Sequence, residues 1–301
     1  MMSCKICKSS RTRVIYHGEI RNGGIGKYTG QVIPIYQCED CGVIWHDEVL
    51  EDIGQYYESR QYREAMNETE SIDEASEELF YQNHDKETLD KFQYTGTNIF
   101  RNKTVADVGC GAGAFLDFLK GVAKNVVAIE PSQMYDEALI RKGFFTYPYL
   151  KDCLLEWKGK VDVVTSFDVI EHVNDPLSFL VDIKNLLRPE GTAIIGTPTD
   201  APIMRRLLGE HYEKQILFSV QHLWIFSEPS LKHLAIQAGF SKVEIRYFQR
   251  YGIENLVGWC LEKRPNSSVR EPFISQEVDA AWKSSCSSHQ VADYIVLYIK
   301  N

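Results

Sequence analysis

Residues 104–113 read Thr104-Val105-Ala106-Asp107-Val108-Gly109-Cys110-Gly111-Ala112-Gly113. The first five form an apolar run of strand length, and the glycines that follow break it. Glycine accepts backbone conformations closed to other residues and lets a ligand approach the main chain closely. Phe115, Leu116, Leu119 and Val122 then fall on one side of a helix. Residues 126–129 make a second strand ending at Glu130-Pro131, about twenty residues past the loop, where a carboxylate can accept both hydroxyls of a ribose. This arrangement points to a nucleoside-containing cofactor. The glycine spacing is G-x-G-x-G with an acid two residues earlier, whereas nicotinamide enzymes usually show G-x-G-x-x-G.

The same alternation continues outward. Ser132 is placed to cap a helix running to Gly143. Residues 161–166 read as a strand, and Asp175-Pro176 as the cap and first turn of a helix. That helix carries Leu177, Leu180, Ile183 and Leu187 at helical spacing and stops before Pro189-Glu190-Gly191. Strands follow at 192–197, 243–248 and 294–299, with a helix at 231–238 ended by Gly239. Strands alternating with helices predict an α/β, Rossmann-like parallel sheet covered on both faces, with ligands at the carboxyl ends of the strands.

Upstream the pattern differs. Four of the eight cysteines form two pairs, Cys4-x-x-Cys7 and Cys38-x-x-Cys41, separated by thirty residues. Two thiolates two residues apart can hold one edge of a tetrahedral zinc ion, and the second pair completes the four. Gly42 suits the tight turn of a zinc knuckle. Residues 1–46 are therefore read as a structural zinc ribbon, a module too small to fold on its own apolar core. Cys110, Cys153, Cys260 and Cys286 are scattered and read as structural.

The net charge of -9 is uneven. Residues 1–46 hold six Lys/Arg against three Asp/Glu, and residues 47–90 hold fifteen acids against three bases. The acidic stretch, rich in tyrosine and free of proline, reads as a helical connector over 47–95, with one helix spanning Ser71 to Leu79. The acidic balance opposes broad binding to nucleic acid. No apolar run approaches the ~18 residues that span a bilayer, so no membrane partner is expected. The N-terminus carries no apolar secretory segment, so a reducing, cytoplasmic location is expected, which favours zinc over disulfides.

Residues 161–176, VDVVTSFDVIEHVNDP, and 185–198, NLLRPEGTAIIGTP, add to VADVGCGAG and VVAIEP. Together they resemble the class I S-adenosylmethionine-dependent methyltransferases over residues 104–248. With the four-cysteine module, Tyr56-Tyr57 and Tyr62, the chain resembles a narrower set, bacterial methyltransferases that include C-methyltransferases of nucleotide-linked deoxysugars. The resemblance implies a catalytic domain over 96–301, with an insertion at about 249–292. It implies that Gly109, Cys110 and Gly111 line the methionine part of S-adenosyl-L-methionine, with Asp107 beneath. Glu130, followed by Pro131, would hold the ribose, and Phe167 and Asp168 would lie near the adenine or the methionyl amine. Asp152 is the carboxylate nearest the adenine amino group, and Glu171-His172 would anchor the neighbouring loop. His222 is the candidate general base, and Tyr57 and Tyr62 are candidates to reach the reacting centre from the connector. The deoxysugar enzymes carry Tyr and His-Glu-His here, whereas this chain has Ser219-Val220-Gln221-His222. The expected acceptor is a small molecule, a sugar or nucleotide-linked sugar. The competing readings are an RNA methyltransferase that uses the zinc module as reader, and a non-catalytic cofactor-binding module.

Overall fold

The computed structural model describes residues 2–47, 53–58, 74–262 and 273–301. Eleven strands appear among them in chain order: β1 Thr12–Gly18, β2 Ile33–Cys38, β3 Ile44–Trp45, β4 Thr104–Val108, β5 Asn125–Ile129, β6 Phe145–Tyr147, β7 Val161–Phe167, β8 Leu187–Pro198, β9 Trp224–Ile225, β10 Lys242–Phe248 and β11 Tyr294–Lys300. The α-helices used below are α1 Ile53–Glu58, α2 Glu74–Thr95, α3 Ala114–Leu119, α4 Asp136–Arg141, α5 Leu150–Trp157, α6 Pro176–Leu186, α7 Pro202–Leu208, α8 Glu228–Gln237, α9 Ile253–Glu262 and α10 Gln276–Ser288. No helix among the described residues is long and apolar enough to cross a membrane.

The strands form two sheets. One has the order β1-β2-β3-β9, the other β10-β11-β8-β7-β4-β5-β6. In the larger sheet β4 pairs in parallel with β5 on one side and β7 on the other, in the registers Val105↔Val126 and Val105↔Val163. The chain thus leaves β4 toward β5 and β6, then returns to build β7 and β8 on β4's other flank. Such a reversal leaves a crevice at the carboxyl ends of the strands, where ligands bind in doubly wound sheets. All five residues of β4 are buried, as a central parallel strand requires.

The contacts divide the chain into two compact units. The first gathers Met1–Val49, Thr197–His233 and Ile245–Val296. Its core joins Ile20, Ile35 and Ile44 of the N-terminal segment to Leu217, Phe218 and Ile225 of the second segment and to Trp259 of α9. The second gathers Leu50–Gly196, Leu234–Glu244 and Leu297–Asn301. Within it, Phe92 of α2 packs against Phe115 of α3 with ring centres 5.0 Å apart, and Phe115 meets Phe167 of β7 at 6.2 Å. Each fully buried ring of this kind contributes about 1.5–3 kcal/mol.

Local chemistry explains several boundaries. The Asp175 carboxylate accepts the N–H groups of Leu177 and Ser178, both at 3.0 Å, and Pro176 occupies the first turn of α6. Gly143, at φ 79°, ends α4. Ser132 does not cap by its side chain: a 3-10 turn, Gln133–Tyr135, intervenes before α4, and Ser132 Oγ is buried without a partner among the described residues. Strand β8 starts earlier than expected because Leu187 already pairs with Val161, and Pro189-Glu190-Gly191 is absorbed as an irregularity with Glu190 at φ 64°. Helix α2 covers the last residues of the acidic stretch, and Tyr62 lies outside the described residues.

Candidate active site

Strand β4 delivers the glycine loop at its carboxyl end. Gly109, Gly111 and Gly113 all adopt left-handed backbone angles, φ 76°, 55° and 83°. A Cβ on Gly109 would stand 2.3 Å from Val169 Cγ2, so only glycine fits there. The Gly109 N–H donates to Ile129 O at 2.8 Å, tying the loop to the end of β5.

The next residue after β5 is Glu130, and its carboxylate is oriented by main chain. Oε2 accepts the Gly111 N–H at 2.8 Å and Oε1 accepts the Ser132 N–H at 3.0 Å. The side chain is largely buried. An ionised carboxylate only accepts hydrogen bonds, which matches it to hydroxyl donors.

Asp107 lies on β4, wholly buried. Its Oδ1 accepts the Thr165 hydroxyl at 2.6 Å, whereas Oδ2 has no partner among the described residues. Burial pushes the Asp107 carboxyl up, and the Lys91 ammonium and the Thr165 hydroxyl oppose that rise. Lys91 itself sits 5.5 Å from the Phe115 and Phe167 ring centres.

A cavity of about 470 Å³ opens among these residues. Of the residues singled out in the sequence, Tyr57, Gly109, Gly111, Glu130, Pro131, Asp168 and His172 line it. Asp168 is held at φ 57°, a strained conformation that aspartate tolerates better than most residues, and its N–H donates to Gly196 O at 3.0 Å. Tyr57 OH lies 2.9 Å from His172 Nδ1, and the buried Glu171 stands 3.9 Å from His172 Nε2. Cys110, Asp107 and Phe167 are buried and do not line the cavity. Burial also drives the Cys110 thiol well up. Asp152 sits in the first turn of α5, half-buried, and its neighbours Tyr149, Leu150 and Lys151 line the cavity in its place. His222 belongs to the first unit. Ser132 reads in the sequence only as a helix cap, and Tyr149, Lys151 and Val169 are not singled out there. Val169 had no chemical signature, since its contribution is the methyl group facing Gly109.

The first unit carries the four cysteines. Their sulfurs all lie within 4.8 Å of one another, with Cys4–Cys41 at 3.7 Å and Cys7–Cys38 at 3.5 Å. None is in a disulfide. The hydrogen bond between the two thiols lowers Cys4 and raises Cys41.

Residues 80–245 match the methyltransferase-domain family. Among curated relatives, the mitochondrial ubiquinone biosynthesis O-methyltransferase of Schizosaccharomyces pombe is 30% identical over 126 residues, 38% of this chain and 46% of the relative. The ubiquinone biosynthesis O-methyltransferase of Actinobacillus pleuropneumoniae is 29% identical over 143 residues, 43% of this chain and 60% of the relative. The chain spans about half the length of the curated relatives it matches. The fold is similar to that of phosphoethanolamine N-methyltransferase 2 of Haemonchus contortus, solved with S-adenosyl-L-methionine, at a TM-score of 0.50 and 12% identity over 95% of this chain and 71% of that one. The glycine loop, the acid ending β5 and the family match over more than half of the sequence converge: the chain belongs to the methyltransferase-domain family.

Proposed function

We propose that the chain methylates a carbon or oxygen atom of a small-molecule acceptor, with a nucleotide-linked sugar as the first candidate. The observation that carries the cofactor half of this reading is Glu130, an acceptor-only group aimed by two main-chain N–H groups at the wall of the cavity. When bound, S-adenosyl-L-methionine supplies an electrophilic methyl group on a sulfonium. In this reading Glu130 accepts from the ribose hydroxyls, Gly109 and Gly111 admit the methionine part, and Asp168 faces its polar end. Asp107 places negative charge beneath the loop, complementary to a cationic cofactor. Pro131, Tyr149 and Leu150 supply apolar wall toward the base. Cys110 and Phe167 shape the loop from behind, and Asp152 contributes from α5.

Methyl transfer is an in-line displacement, so the remaining task is to align an acceptor and remove its proton. His222 is assigned as the base. Tyr57, hydrogen-bonded to His172, is assigned to orient the acceptor, and the same role is proposed for Tyr62, which lies outside the described residues. Residues 1–46 are assigned as a ribbon around one structural zinc ion held by Cys4, Cys7, Cys38 and Cys41. Four Zn–S bonds of ~2.3 Å in a tetrahedron place sulfurs about 3.8 Å apart, which the spacings of 3.5 and 3.7 Å approach. In this reading residues 47–95 form the connector and 96–301 the catalytic domain with an insertion at about 249–292, the range that contains α9 and α10.

The sugar assignment rests on the four-cysteine module and the tyrosine-rich connector. A second reading, O-methylation of an acceptor in ubiquinone biosynthesis, for which a catechol serves as the probe, is favoured by the names of the relatives given above. Incubation with methyl-labelled S-adenosyl-L-methionine and either a nucleotide-linked keto-deoxysugar or a catechol separates them. Label in the sugar supports the first reading, label in the catechol supports the second, and label in neither rejects both acceptor classes.

A further inference from the structure

The first unit joins the four-cysteine segment to the turn that bears His222, and the joint is specific. Ser219-Val220-Gln221-His222 form a tight turn in which the His222 N–H donates to Ser219 O at 3.2 Å, with Ser219 Oγ at 3.3 Å. Arg21 grips the start of the turn: the Arg21 N–H donates to Phe218 O at 3.0 Å, and Arg21 O accepts the Val220 N–H at 3.0 Å. Just after it, β9 pairs with β3 through Ile44↔Ile225 and Trp45↔Trp224. Farther on, the Ser227 hydroxyl donates to Cys41 O, and a Cβ on Gly42 would stand 3.0 Å from Ser227 Oγ.

His46 closes the turn itself. It follows β3 directly and is buried, with Nε2 3.0 Å from Ser219 O and Nδ1 2.6 Å from Asp47 O. The main chain of His222 also faces the ring. Burial lowers the His46 pKa. In the tautomer that carries its proton on Nε2, the ring donates to Ser219 O and sets where that carbonyl lies. Three residues later, that sets where His222 begins.

We propose that His46 is a positioning residue: it fixes the Ser219–His222 turn, so that the four-cysteine module acts on the acceptor side of the reaction by holding His222 in place. The mechanistic part of this rests on the reading of His222 as the base. Arg21 and His46 both restrain the start of the segment, Arg21 through Phe218 and Val220 and His46 through Ser219, and the β3–β9 pair restrains its end.

Hydrogen exchange on the full-length, zinc-loaded protein tests this without any acceptor. His46→Leu removes the donor and keeps an apolar side chain. His46→Gln keeps a donor. The prediction is that amides of residues 219–223 exchange at least ~10-fold faster in His46→Leu. His46→Gln should restore most of the protection. Strand β4 serves as the internal reference and should be unchanged, as should the affinity for S-adenosyl-L-methionine. Should His46→Leu lose protection throughout, His46→Asn, with a shorter amide, supplies the graded comparison with His46→Gln. Equal exchange at 219–223 in all variants and wild type would overturn the proposal. So would a loss in His46→Leu that His46→Gln fails to restore. A wrong base assignment shows elsewhere, as normal turnover in His222→Asn, so the two failures are distinguishable.

Discussion

Glu130 Oε2 accepts the main-chain N–H of Gly111 at 2.8 Å, so the acid that ends β5 and the glycine loop that follows β4 are held in one arrangement. This bond has two consequences. It orients the carboxylate before any ligand arrives, and it makes Glu130 part of the loop's own structure. Replacing Glu130 by Ala should weaken binding of S-adenosyl-L-methionine about 100-fold, since two charge-assisted bonds at ~1.5 kcal/mol each are lost. Glu130→Gln should also bind weakly, because its amide NH₂ would face the N–H of Gly111 or of Ser132. Calorimetric titration of the three proteins measures this.

Gly109 offers a sterically defined test. An alanine there meets both a left-handed φ of 76° and Val169 Cγ2 at 2.3 Å. The backbone term costs ~1–2 kcal/mol and the overlap ~1–3 kcal/mol. Gly109→Ala should therefore melt several degrees lower and lose cofactor affinity at least ~10-fold. Adding Val169→Ala should recover part of the stability, because it removes the overlap and leaves the φ cost.

Asp107 should be a source of pH-dependent instability in the cofactor-free protein. Burial raises its carboxyl above the ordinary 3.8, so the folded state holds its proton more tightly than the unfolded chain. Stability then falls as pH rises from about 3.8 toward the raised folded value, and stays reduced above it. Asp107→Asn keeps an oxygen acceptor for the Thr165 hydroxyl and removes the charge. Its melting temperature should match wild type near pH 3 and exceed it at pH 7. Its affinity for the cationic cofactor should fall. Thermal melts from pH 3 to pH 8 give the first result, and titration at pH 7 the second.

The four cysteines should bind one zinc ion per chain. Native mass spectrometry should find it in wild type and lose it in Cys38→Ser or after strong chelation. Structural zinc carries folding free energy directly, so its removal should open residues 12–45 to exchange and proteolysis. Among the described residues, those that line the cavity all belong to the second unit. Binding of S-adenosyl-L-methionine should therefore survive zinc removal.

The sequence showed its local signals and concealed its distant ones. The glycine loop, Glu130 and the Asp175-Pro176 cap are each written within a few residues, and the structure puts all three where the motifs put them. Strand β6 and helix α5, of three and eight residues, are too short for a periodic signal, so nothing in the sequence announces that Asp152 lies in a helix. Ser132 carried a capping residue's identity, yet its N–H is used by Glu130 and its hydroxyl by nothing described. The composition of the first unit was not legible at all. His46 and Ser219 are 173 residues apart, and nothing local to either announces that they meet. Asp168 is named through the family resemblance, while its strained backbone is visible only in the structure.

Calorimetric titration of the purified, zinc-loaded chain with S-adenosyl-L-methionine, repeated with NAD, tests the central claim most directly. The cavity and Glu130 predict one cofactor per chain with a dissociation constant on the order of micromolar, and no heat with NAD. Folded protein that binds NAD, or that binds neither ligand, would contradict the account.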